Sequence, residues 1–171
     1  MRAFVLVLSA STLMWAGAAA AAHGQDNQWN TFSGSWSAVG RRQTLPTETG
    51  RPAAIVQMSG SLVLTGSGGS GEFPTAFRGE AIAFADGDRL GVGRAVWTDT
   101  RGDIVFSTLT VERVATGRRV AGTITGGTGR YEGVTGNWEL TWQFVVETEE
   151  GEVQGRAADL RGRFRRAETR R

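Results

Sequence analysis

The sequence predicts an all-β domain built as an eight-stranded antiparallel up-and-down barrel. Three observations carry that expectation. From residue 33 onward, short runs of β-type residues alternate with turn signals. No apolar stripe recurs at the helical period over any length. The connections are mostly hairpin-short, and an up-and-down barrel is the arrangement of such strands that leaves no open sheet edge. A chain of 171 residues suits one domain and one core.

Taken in order, strands are expected at 35–43, 54–65, 77–85, 90–98, 104–113, 119–125, 137–147 and 153–164. The reversals between them are chemically explicit. Asp86-Gly87-Asp88, Thr100-Arg101-Gly102-Asp103, Thr116-Gly117 and Glu149-Glu150-Gly151 all offer residues suited to tight turns. Arg101-Gly102-Asp103 matches a cell-adhesion tripeptide, and its position between strands makes it a hairpin turn. The stretch from Thr65 to Pro74 is rich in glycine and serine and reads as a surface loop with linker-like freedom.

The densest signal lies at 122–136, where six glycines fall within fifteen residues. Glycine reaches positive φ without a Cβ penalty, so the segment reads as a strand, a compact loop around Tyr131, and a second strand. Gly126, Gly127, Thr128, Gly129, Tyr131, Gly133 and Gly136 resemble an element of the allene oxide cyclase and dirigent proteins, and of the related bacterial allene oxide cyclase barrel-like domain. That resemblance implies the same barrel. It also implies a lumen in which a glutamate with polar and aromatic neighbours shapes a reaction by confinement, and packing of barrels into trimers. A further pairing, Gly34-Ser35-Trp36 in the first strand with Arg161 and Arg163 in the last, is similar to the calycin barrels, where a late arginine closes over the tryptophan. In physical terms such an arginine gains cation–π energy while capping the barrel floor.

Around the barrel, residues 1–22 read as a signal peptide, 23–32 as an N-terminal extension, 33–164 as the barrel and 165–171 as a basic tail. Met1-Arg2, an apolar run and the small residues Ala18 to Ala22 give the first segment its secretory character. A secreted or periplasmic location is therefore expected, with no transmembrane span once that segment is removed. All 19 basic residues are arginine, which excludes Schiff-base lysine chemistry, and the formal net charge is +2. Arginines crowd the C-terminal end, where a solvated terminus is the reading adopted and no nucleic-acid partner is expected. Cysteine is absent and His23 is the one histidine, lying at the signal junction. Disulfides, thiolate metal sites and imidazole catalysis are thereby excluded, and no metal or cofactor is expected.

The alternation of faces is ambiguous in two strands. Phe77, Gly79, Ala81 and Ala83 oppose Arg78, Glu80, Ile82 and Phe84, while Gly91, Gly93, Ala95 and Trp97 oppose Val92, Arg94 and Val96. Neither split is cleanly apolar against polar, so charged groups are expected to point inward. Arg78, Glu80, Arg94, Trp97, Glu139 and Arg156 are the candidate ligand-binding residues, with Asp159 an acidic neighbour and Glu80 the candidate catalytic carboxylate. An ion-pair network that fixes strand register is the alternative. Trp138, Leu140, Trp142, Phe144 and Val146 form one apolar face, to be buried in the lumen or against another subunit.

Three functions remain open. The first is a barrel outside the cytoplasm that binds a small apolar molecule or a protein partner. The second is a cyclase- or isomerase-like enzyme steered by Glu80, in line with the resemblance. The third is a structural or interaction protein assembling as a homo-oligomer, trimer or dimer.

Overall fold

The computed structural model describes residues 29–48, 50–65, 74–87 and 89–166. The signal peptide, most of the extension and of the glycine-serine loop, Thr49, Asp88 and the last five residues of the basic tail lie outside those residues. Eight strands run through the described chain: β1 (Asn30–Leu45), β2 (Ala53–Thr65), β3 (Ala76–Ala85), β4 (Gly91–Thr98), β5 (Ile104–Val114), β6 (Gly117–Gly127), β7 (Val134–Glu147) and β8 (Glu152–Arg166). Each pairs antiparallel with its sequence neighbours, and β8 returns to pair with β1, closing the barrel. Among the described residues no helix is long and apolar enough to cross a membrane.

All eight predicted strands are present, several of them longer than expected. β1 begins at Asn30, inside the stretch assigned to the extension, and β8 runs to Arg166, inside the assigned tail. Pairing explains both differences, because Asn30 lies opposite Phe164 and Val134 opposite Arg166. Backbone groups that find ladder partners stay in the sheet whatever their side chains prefer.

The hairpins alternate between two ends. At one end, here the mouth, lie the connections β1–β2, β3–β4, β5–β6 and β7–β8; at the other, the floor, lie β2–β3, β4–β5 and β6–β7. Large aromatic side chains fill the floor half. Trp97 stands 5.9 Å from both Phe32 and Phe77 and 5.4 Å from Trp138, and Phe77 packs 6.0 Å from Tyr131. Trp36 and Trp142, 4.9 Å apart, form the layer above.

Glycines make room for this packing. A Cβ on Gly155 would lie 2.5 Å from Cζ2 of Trp142, and one on Gly79 would lie 2.9 Å from Nε1 of Trp36. The interior is thus a large-against-small jigsaw, in which the indoles of Trp36, Trp138 and Trp142 occupy the space of an absent side chain. Toward the mouth the pattern reverses, and Ala54, Ala81, Ala83 and Ala85 line the wall.

Candidate functional site

The reversal from aromatic to small residues leaves a cavity of about 390 Å³ in the mouth half of the lumen. Its base is Trp36, Trp97, Trp138 and Trp142, and its walls include Val56, Met58, Leu109, Val111, Val120 and Leu140. The volume falls within the ~300–1,000 Å³ of small-molecule sites. Trp36 is buried and borders this space, and its Nε1 finds no acceptor among the described residues. By contrast Trp138 donates from Nε1 to Ser107 Oγ at 3.1 Å, so the neighbouring indole is satisfied by the protein itself.

Arginines crown the cavity. In β1 the inward positions run Trp36, Ala38, Gly40, Arg42; in β5, Ser107, Leu109, Val111, Arg113; in β6, Gly122, Val120, Arg118. Strand alternation therefore aims three guanidinium groups over the lumen. Arg51 and Arg89 join them from the rim connections. Arg42 Nη1 is paired with Glu147 Oε1 at 3.0 Å, and Arg89 lies 3.5 Å from Asp86. Burial, then the charge of Arg113, hold the Arg118 guanidinium below the ordinary arginine value; Glu147 opposes this and Arg42 adds to it.

The floor is sealed by a second cluster. The buried carboxylate of Asp99 accepts from Arg130 at Nε (2.8 Å) and Nη2 (2.5 Å) and from the Tyr131 hydroxyl (2.9 Å), all at Oδ2. Its Oδ1 accepts from the backbone N–H groups of Arg101 (2.7 Å) and Asp103 (3.1 Å). Burial pushes the Asp99 carboxyl up, and these donors, Arg130 foremost, overcome it and leave it at about 2. Burial and then the bond to Asp99 push the Tyr131 hydroxyl well up. Every donor comes from one of two loops, the 99–103 hairpin or the glycine element, so the cluster ties the β4–β5 turn to the β6–β7 turn. Arg101-Gly102-Asp103 is accordingly part of a hairpin, with Gly102 donating to the Asp99 carbonyl at 3.1 Å. Tyr131 sits in a one-turn 3-10 helix, Gly129–Tyr131, flanked by Gly126, Gly129 and Gly133 at positive φ.

The expected polar lumen is not what the structure contains. Arg78 and Glu80 form a 2.7 Å ion pair on the outer face of β3, and Glu139 pairs with Arg161 at 2.7 Å on the outside of β7 and β8. Arg94 and Arg156 are exposed outer residues as well. Of the six candidates only Trp97 faces inward, where it bridges the floor packing and the cavity. The physical reason is that the inner face of β3 and β4 is made of small residues, Gly79, Ala81, Ala83, Gly93 and Ala95, which read as neither apolar nor polar. Asp159 accepts from the Thr141 N–H at 2.8 Å rather than joining a lumen cluster. Trp138, Leu140 and Trp142 are buried in the lumen.

The calycin-like closure is also absent. Arg163 lies over Trp29 at 4.6 Å and Arg165 over the same ring at 4.8 Å, while Trp36 packs against Trp142. Arg161 and Arg163 stand opposite Ser33 and Thr31, whose side chains face outward.

Among the described residues the molecule is thus a closed antiparallel barrel, packed with aromatic side chains toward the floor and carrying an apolar cavity beneath arginines toward the mouth. No family model matches the chain, and no curated protein matches it. Among solved structures it is similar to the pterocarpan synthase dirigent protein GePTS1, with 12% identity over 97% of this chain and 100% of that one, at a TM-score of 0.49. The allene oxide cyclase part of the resemblance has no counterpart in these comparisons.

Proposed function

We propose that this protein is an exported barrel that binds one small, mainly apolar molecule in its mouth-half cavity without transforming it. The observation that carries the reading is the cavity itself, walled by alanine, valine, leucine and tryptophan. An apolar, concave space of this size is the profile of a small-molecule site. The unpartnered Nε1 of Trp36 adds one directional donor at its base. Binding is favoured over a cyclase or isomerase because Glu80, the acidic residue bordering the cavity, commits its carboxylate to Arg78 outside. Export rests on the character of residues 1–22.

Native mass spectrometry of the protein purified gently from its own host tests this. A stoichiometric small-molecule adduct supports it. A bare mass that persists after exposure to host extract counts against it.

A second reading, assembly through the outer surface, is favoured by one feature. Ile55, Phe84 and Val92 lie side by side across β2, β3 and β4, with Ile82 below, and all four are exposed. Such a strip on a sheet face is the kind of surface that another chain covers.

A further inference from the structure

The arginine crown carries an inference about the kind of molecule the cavity takes, and it rests on the binding reading above. Charges at the mouth are sorted by direction. The inward positions at the ends of β1, β5 and β6 are Arg42, Arg113 and Arg118, whereas Glu112 and Arg119 face outward and pair with each other at 3.8 Å. Glu147 engages Arg42, and neither Arg113 nor Arg118 forms an ion pair among the described residues. Two guanidinium groups therefore stand side by side at the rim of an apolar well, Arg113 directly opposite Arg118 on the adjacent strand, and Arg118 is half-buried there. Holding like charges together at the lip of a low-dielectric space is unfavourable in the empty barrel. An anion seated between them removes that repulsion.

We propose that the ligand is a single-chain amphiphile with an oxyanion head, inserted tail first, the head held by Arg113 and Arg118 with Arg42 beside them. Guanidinium forks match the oxygens of phosphate and carboxylate in two-point contacts. Two cations with no ion-pair partner among the described residues, Arg118 donating only to the Gly117 carbonyl at 3.0 Å, suit a phosphate monoester, which carries close to two negative charges at neutral pH. The alanine-lined upper wall accommodates the chain next to the head, and the tryptophan base limits its length.

The test is isothermal titration of the whole mature protein with four probes that share one tail, each below its micelle concentration: dodecyl phosphate, dodecanoate, dodecanol and dodecyltrimethylammonium. Inorganic phosphate is the fifth titrant. Dodecyl phosphate is expected to bind about tenfold or more tighter than dodecanol, as charge-assisted hydrogen bonds would give. Dodecanoate falls between them, the ammonium probe is weakest, and the preference shrinks with added salt. Arg113→Gln with Arg118→Gln removes the preference while dodecanol still binds, which also shows that the barrel is intact. Arg119→Gln, the same charge removed from the outward face next door, leaves it unchanged.

Equal affinity for dodecanol and dodecyl phosphate overturns the crown but leaves the apolar site standing. Inorganic phosphate binding as tightly as dodecyl phosphate also overturns it, making the mouth a simple anion site. If no probe binds, dodecanol included, the binding reading falls with it.

Discussion

Trp138 lies flat across Gly122, its direct partner on the neighbouring strand, so closely that a Cβ there would stand 2.1 Å from Cε2 of the indole. The indole cannot swing aside, because it is packed 5.4 Å from Trp97 and tethered through Nε1 to Ser107. Gly122→Ala is therefore expected to destabilise the barrel by about 1–3 kcal/mol, the usual cost of overpacking a filled core. Urea unfolding checks this. A Gly122→Ala protein as stable as the wild type would mean that the indole has room the structure does not give it.

Asp99 predicts how the fold responds to acid. Its carboxyl lies at about 2 in the folded protein, below the ordinary 3.8. A depressed carboxylate contributes stability above its unfolded value, and that contribution drains away as pH falls toward the folded value. Thermal melts between neutral pH and about pH 2 should show stability falling across this window. Asp99→Asn should flatten the Asp99 share of that slope and lower stability at neutral pH by about 2 kcal/mol, through loss of charge-assisted bonds to Arg130. An unchanged pH profile would separate the floor network from stability.

The strands and most reversals were legible because turn chemistry and β-type runs are local properties. Gly126, Gly129 and Gly133 even announced the loop around Tyr131, whose flanks need positive φ. Which face turned inward was harder to read. On β3 the outer face holds Ile82 and Phe84 and the inner face Gly79, Ala81 and Ala83, so hydrophobicity pointed the wrong way. What decides the face is the volume of Trp36, whose indole lies against Gly79 from β1, and of Trp97 beside Gly79 on the next strand, a non-local fact. The crown had a usable signal nonetheless. Counting by twos from Trp36 reaches Arg42, and counting back from Ile124 through Gly122 and Val120 reaches Arg118. The Asp99 cluster offered no comparable cue, since its members lie 31 and 32 residues apart and meet only when the two floor loops are brought together.

Ala83 points into the mouth-half cavity, where the wall is lined by small side chains. Replacing it with phenylalanine should fill much of the space below the arginines. The expected result is loss of the bound molecule, or of dodecanol binding, by about tenfold or more, since an apolar ligand gives up its buried area. Stability should hold or rise, as added apolar surface is buried in a space that was open. Unchanged binding in Ala83→Phe would place the ligand outside the lumen.

The outer strip yields a prediction about assembly. Ile55, Ile82, Phe84 and Val92 are 44%, 50%, 46% and 56% exposed, values far above those of the lumen residues and unusual for four contiguous large apolar side chains. Phe84 is the centre, paired with Ile55 on one side and Val92 on the other. If another copy covers this face, Phe84→Glu places a charge in the middle of the contact and should convert the oligomer to monomer in sedimentation velocity. A wild-type protein that sediments as a monomer at high concentration would exclude self-assembly through this face. An oligomer indifferent to Phe84→Glu would move the contact elsewhere on the barrel.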